Sequence, residues 1–164
     1  MIVTLGEEGK QILQAAMSLA SDRNERFSSL HLLLAFTQSS GLAREVLRTN
    51  EVAADRVKPF LRTREMEPAS TMDRISEEAK AIVARIPGSR RINPLHLLAS
   101  VASVPDTFAY RAMSVMGCNP SMVVAQVLGI LTGTGRRTFH LEAAADGDRA
   151  GAGGAPKQGP RAPD

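Results

Sequence analysis

Leu30-His31-Leu32-Leu33 recurs further along the chain as Leu95-His96-Leu97-Leu98, and this pair of tetrapeptides decides how the rest is read. Self-similarity comes first, because a duplicated unit buries its core by leaning on its own copy. Working outward, Glu7-Glu8-Gly9-Lys10-Gln11-Ile12-Leu13 matches Glu77-Glu78-Ala79-Lys80-Ala81-Ile82-Val83, and further on Val57 pairs with Val124. The three matches keep their order. The offset between partners narrows from the first match to the second and widens again by the third. Length changes therefore fall between the matched segments, where loops absorb them. The chain reads as one unit written twice, about 3–62 and 74–135, in a domain over 1–137.

Each copy reads as four helices. In the first, residues 7–22 set Ile12, Leu13, Ala16 and Ala20 on one stripe at helical spacing. Ser28 or Ser29 caps the next helix, since a serine oxygen satisfies amides lacking an intrahelical partner. That helix buries Leu30, Leu33 and Leu34 and runs to about Ser39, where Ser40-Gly41 breaks it. A short helix follows through Val46-Leu47. A fourth, from about Ala53, packs Val57, Phe60 and Leu61, with Pro59 predicting a kink or an early end.

In the second copy Ser76, followed by Glu77 and Glu78, predicts a helix start with acids facing the macrodipole. Pro87-Gly88 ends that helix, and Asn93-Pro94 opens the next with a cap and a proline at the first helical position. Pro105-Asp106 is expected to stop it and cap its successor, and Asn119-Pro120 repeats the cap-plus-proline signal. No alternating run bounded by hairpin turns appears, so the expected class is all-α. Residues 62–72 are polar and aperiodic and read as a linker. Residues 138–164, rich in Gly, Ala and Pro, cannot bury enough apolar surface to offset chain entropy and read as a disordered tail or tether.

Composition agrees with helices. Of 164 residues 43% are hydrophobic but only 4% aromatic, with no Trp, so the core must be aliphatic. The formal charge of +3 is mild. Arg90-Arg91 and Arg136-Arg137 are the densest basic groups, and a solvated surface explains them more simply than a nucleic-acid stripe does. One cysteine, Cys118, excludes an internal disulfide and fits a reducing compartment. The first residues lack a basic segment followed by an apolar run, so no signal peptide is expected, and no apolar stretch reaches the length of a membrane span. A cytoplasmic protein is the expectation.

The paired pattern of Glu-Glu-x-Lys, then Leu-His-Leu-Leu, then a Gly- or Asn-marked turn before a Val-rich helix resembles the Clp N-terminal repeat domain over about residues 3–135. That domain caps ATP-driven Clp unfoldases of bacteria and plastids. The resemblance implies two pseudo-symmetric four-helix repeats that receive substrates or adaptor proteins and pass them to the ATPase ring. Many members carry an acidic residue just before the histidine, which in some helps to bind phosphorylated arginine. Here those positions are Leu30 and Leu95, and a threonine that often opens the first helix is matched by Gly6 and Ser76. Phosphoarginine binding is therefore not expected, and the two leucines suggest a more apolar groove.

No catalytic machinery is legible. A phosphate loop needs Gly-x-x-x-x-Gly-Lys-Ser/Thr, and Gly129 to Arg136 has glycines without the Lys-Ser/Thr pair. His31 and His96 stand at matched positions, which favours a helix-end hydrogen bond over a general base or metal ligand. No Cys/His pattern marks a metal site, and no cofactor is implied. The expected function is docking of substrates or adaptors for a Clp-type protease system. The alternatives are a free-standing regulator competing for Clp clients or adaptors, and a helical nucleic-acid-binding regulator using Arg90, Arg91, Arg136 and Arg137. The partner-binding candidates are Glu7, Lys10, Leu30, Ser76, Glu77, Lys80 and Leu95. Met113, Met116 and Met122 are core filling first and docking surface second. Part of Val115 to Val127 is apolar enough to face a partner.

Overall fold

A computed structural model describes residues 3–63 and 65–133. The chain divides into two units, Met1–Leu128 and Gly129–Asp164. In chain order the elements are β1 (Thr4–Leu5), α1 (Glu7–Asp22), α2 (Ser29–Gln38), α3 (Leu42–Thr49), α4 (Ala54–Val57), a 3₁₀ segment (Lys58–Arg62), α5 (Ser70–Arg85), β2 (Arg91–Ile92), α6 (Pro94–Val101), α7 (Phe108–Val115) and α8 (Pro120–Thr132). The protein is mostly helical, as its aliphatic composition and periodicity predict.

The core of the first unit is built on α2 and α6. Along α2 the run from Ser29 to Thr37 is buried without interruption, and α6 is buried from Leu95 to Val101. A helix apolar all round must sit inside others. Accordingly α2 packs on α1, α3, α4 and α7, while α6 packs on α5, α1, α3 and α2. The third helix of each half thus reaches the central helix of the other half. Two buried hydroxyls in these helices bond within them: Thr37 donates to the Leu34 carbonyl at 2.6 Å and Ser100 to that of Leu97 at 2.7 Å. Around this pair α1 presents Gly9, Ile12, Ala16 and Ala20, and α5 presents Thr71, Ile75, Ala79, Ile82 and Val83.

Several boundaries follow the sequence reading. The first helix spans residues 7–22, Ser28 caps α2, and Asn93 caps α6 with Pro94 in its first turn. At Pro59 the α-helical bonding gives way to the 3₁₀ segment, with Val57 and Leu61 buried. Four expectations need correction. The fifth helix starts at Ser70, six residues before Ser76, so 70–72 leave the linker. Buried Thr71 extends the stripe of Ile75 and Ala79, and its amide bonds the Pro68 carbonyl at 3.0 Å. Thr107, not Asp106, caps α7, its hydroxyl accepting from the Tyr110 amide at 2.9 Å. Asp106 instead pairs with Arg74 at 2.8 Å, and α6 has already ended at Val101, before Pro105.

The fourth correction is a strand pairing that no alternation announced. β1 and β2 run parallel, with Thr4 beside Arg91 and Leu5 beside Ile92. Their two-residue length is too short to carry a period. Gly6 extends the pairing by donating its amide to the Ile92 carbonyl at 2.9 Å.

In the second unit the described residues, 129–133, form the end of α8, where Thr132 Oγ1 lies 3.4 Å from the Gly129 carbonyl, and then Gly133 at φ 85°. The expected tail over 138–164, and with it Arg136, Arg137 and His140, lies outside the described residues.

Candidate functional site

Glu25, Ser28 and His31 form the most enzyme-like constellation among the described residues. They line a cleft of about 230 Å³. Ser28 Oγ lies 3.3 Å from His31 Nδ1, and His31 Nε2 lies 3.0 Å from Glu25 Oε1. A serine nucleophile must hand its proton to a free imidazole lone pair. Here that lone pair is occupied, because the Ser28 amide donates to Nδ1 at 3.0 Å. Ser28 Oγ in turn accepts from the Leu30 amide at 3.2 Å. Ser28 and His31 make a capping box, with histidine in the place that Glu or Gln usually takes.

With Nδ1 accepting, Nε2 carries the ring proton and donates it to Glu25. Burial works to raise the Glu25 pKa, but hydrogen bonds from Arg23 and His31, with the Arg23 charge, outweigh it and hold the carboxyl below its usual range.

The second half repeats the box without a hydroxyl. Asn93 donates its amide to His96 Nδ1 at 3.0 Å, and Asn93 Oδ1 accepts from the amides of Leu95 at 2.8 Å and His96 at 3.2 Å. Since the geometry survives exchange of serine for asparagine, helix capping is what the histidine performs. The two rings differ at their far nitrogen. His96 Nε2 is buried and has no hydrogen-bond partner among the described residues. Three positions before Asn93 stands Arg90, a cation, where Glu25 precedes Ser28. Burial lowers the His96 pKa.

A second hollow, of about 170 Å³, lies between α1, α5, α6 and the strand pair. Leu5, Leu13, Ile75 and Ile92 line it, with Ser76 and Lys80 as its polar members. Here the structure brings together two of the residues singled out from sequence. Glu77 is exposed and bonds Lys80 at 3.3 Å, while Glu7 and Lys10 lie exposed in the first turn of α1, outside the lining. Leu30 and Leu95 are buried, at 3% and 8% exposure. Leu30 forms the wall of the Ser28 cleft and of a third hollow. Of the methionines, Met113 is core, whereas Met122 is half exposed.

No protein-family model matches the chain, and no curated protein does. Among the described residues, no group of three His, Cys, Asp or Glu could hold a metal ion, and no single helix is long and apolar enough to cross a membrane. Cys118 is buried, which raises its thiol pKa and removes it from nucleophilic use.

The residue that sequence reasoning missed is Glu67. Its carboxylate accepts from the Ser29 amide at 2.7 Å, from the Ser29 hydroxyl, and from the Phe108 amide at 2.7 Å. It thereby caps α2 and α7 at once. Ser29 Oγ completes the arrangement by accepting from the Ala109 amide at 2.9 Å. Nothing in the local pattern marks Glu67, because its partners are distant in sequence.

Proposed function

We propose that this chain is a protein-docking module of the Clp N-terminal repeat kind, two four-helix copies that receive substrates or adaptors for an ATP-driven unfoldase and perform no chemistry themselves. The observation that carries this reading is the pair of matched capping boxes. His31 and His96 occupy the same helical position and hold the same backbone amide through the same ring nitrogen. Support also comes from the crossed packing, α2 with α7 and α3 with α6, which a pseudo-twofold duplication produces.

The hollow between α1 and α5 is the docking place this reading favours. It draws walls from both copies, is mainly apolar, and carries Ser76 and Lys80 at its edge. Glu7, Lys10 and Glu77 then act from the exposed rim, while Leu30 and Leu95 act through packing.

The test is affinity capture with the full chain from its host's lysate, beside a Lys80→Glu variant. Recovery of a Clp ATPase, its peptidase or a shared adaptor, weakened in the variant, is the expected result. Salt-sensitive recovery of DNA with no Clp component would transfer the assignment to a nucleic-acid regulator.

A further inference from the structure

The two capping boxes differ in what a second ring proton does to them. In each, the imidazole Nδ1 accepts the cap residue's backbone amide at 3.0 Å, from Ser28 at His31 and from Asn93 at His96. Both nitrogens of an imidazolium are donors, so proton uptake breaks that bond in either box. At His31 the far nitrogen faces the Glu25 carboxylate at 3.0 Å, and a charged ring keeps an ion pair there. At His96 the far nitrogen is buried and has no partner among the described residues. A charged His96 ring keeps nothing.

We propose that His96 is an acid-released latch on the strand pair: protonation of its ring frees Asn93, and the freed segment withdraws the β2 wall from the hollow between α1 and α5. The latch rests on this geometry alone; that acid thereby loosens docking rests on the reading of the hollow as the docking place.

The path from ring to hollow is short. Asn93 directly follows Ile92, which pairs with Leu5 and whose carbonyl accepts the Gly6 amide at 2.9 Å. Leu5 and Ile92 both line the hollow, and so does Leu97, the residue after His96. Two residues per strand are too few to hold a pairing by themselves. The capped start of α6 therefore anchors β2, and the ring of His96 holds one half of that cap.

No neighbouring charge retains the ring once it is protonated. The elements packed on α6 are α1, α2, α3, α5 and β2. The buried faces of α1, α3 and α5 carry no titratable side chain, and α2 contributes only His31. The partly exposed acids Glu45 of α3 and Glu78 of α5 are paired with Arg48 and Arg85. The other charged side chains of these helices are exposed, as are Arg90 and Arg91, two cations just before the cap. Burial is what lowers the pKa of this ring, so the proton enters when the box opens to water.

The test is hydrogen exchange of the full chain at pH 7.5 and 5.5, each rate divided by the intrinsic rate at that pH. With an opened ring at the ordinary pKa of about 6.5, the opening equilibrium should rise about tenfold between the two. Protection of the Gly6 and Asn93 amides should fall by that factor. The amides of Ser39 and Cys118, bonded to the carbonyls of Ala35 and Met113, should hold level. His96→Gln supplies the acceptor that capping boxes commonly use and removes the titration, so its Gly6 and Asn93 protection should not respond to pH. Should that variant not fold, nitrogen NMR of the wild-type imidazole decides: a doubly protonated His96 ring should grow in as pH falls, in step with exchange at Gly6.

Level protection at Gly6 across the two pH values, a fall shared equally by Ser39 and Cys118, or a fall that persists in His96→Gln would each overturn the latch. So would a His96 ring that gains its second proton while the Asn93 amide stays protected. None of these readings involves Clp recovery, so failure of the docking assignment and failure of the latch are told apart.

Discussion

The carboxylate of Glu67 and the backbone amide of Ser29, 38 residues apart in sequence, meet at 2.7 Å and join two helices that no local signal connects. The Glu67 carboxylate lies against the first amides of α2 and α7, where partial positive charge from both helices accumulates. Bonds to a charged acceptor are the strong kind. Glu67 therefore ties the connecting segment down and, with Glu65 and Thr63, shapes the wall of the Ser28 cleft.

Glu67→Ala strands two amides and a hydroxyl, at an expected cost of about 2–4 kcal/mol. Glu67→Gln keeps an acceptor of the same shape and should cost about half as much. Urea denaturation of the two variants checks the order. A glutamine variant as weak as the alanine one would show that charge matters here and shape does not.

Arg90→Glu should stabilise the protein. The buried Nε2 of His96 has a proton and no acceptor among the described residues, whereas the matching nitrogen of His31 has Glu25 at 3.0 Å. Supplying that acceptor three residues before the cap is worth about 1 kcal/mol, read as a raised denaturation midpoint. No change would mean that the backbone approaching β2 holds position 90 away from the ring.

Acidification should weaken the fold through His96. Burial depresses its pKa below the usual 6.5, so the unfolded chain binds a proton at a pH where the folded chain does not. Stability from this group is complete above about pH 6.5 and falls as pH drops toward the folded value. Glu25, also depressed, adds its loss lower, below the usual carboxylate range. The melting temperature of His96→Gln should change less than wild type between pH 7.5 and 5.5; parallel curves would remove His96 from the account.

Gly9→Ala should destabilise, against the ordinary helix preference for alanine. A Cβ at Gly9 would stand 2.5 Å from the Ile92 carbonyl oxygen and 2.9 Å from Leu5 Cδ1. The same carbonyl receives the Gly6 amide, so it cannot retreat freely. The net cost should be about 1–3 kcal/mol, with the strand pairing loosened. Hydrogen exchange at the Gly6 amide reports that loosening directly.

Leu30→Glu and Leu95→Glu should unfold the protein before they change its partners. Both leucines are buried, at 3% and 8% exposure. A buried unpaired carboxylate costs about 3–5 kcal/mol, a large share of a domain's total. Soluble variants with wild-type melting curves would place these side chains on a surface instead.

The helices were legible in the residues alone wherever the determinants are local. The stripe of Ile12, Ala16 and Ala20, the Ser28 and Asn93 caps with their histidines, and the break at Pro59 each act within a turn or two of chain. The same locality explains the errors. Ser76 followed by two glutamates has the look of a helix start, yet the buried stripe reaches back to Thr71, and what Thr71 packs against lies elsewhere in the chain. Only the tertiary structure decided that Thr4 would pair with Arg91, that Glu67 would cap two helices, and that Leu30, Phe60, Phe108 and Val115 would line one groove. Each of these depends on segments meeting across long stretches of chain. Such meetings are set by how the helices pack and leave no period in the sequence.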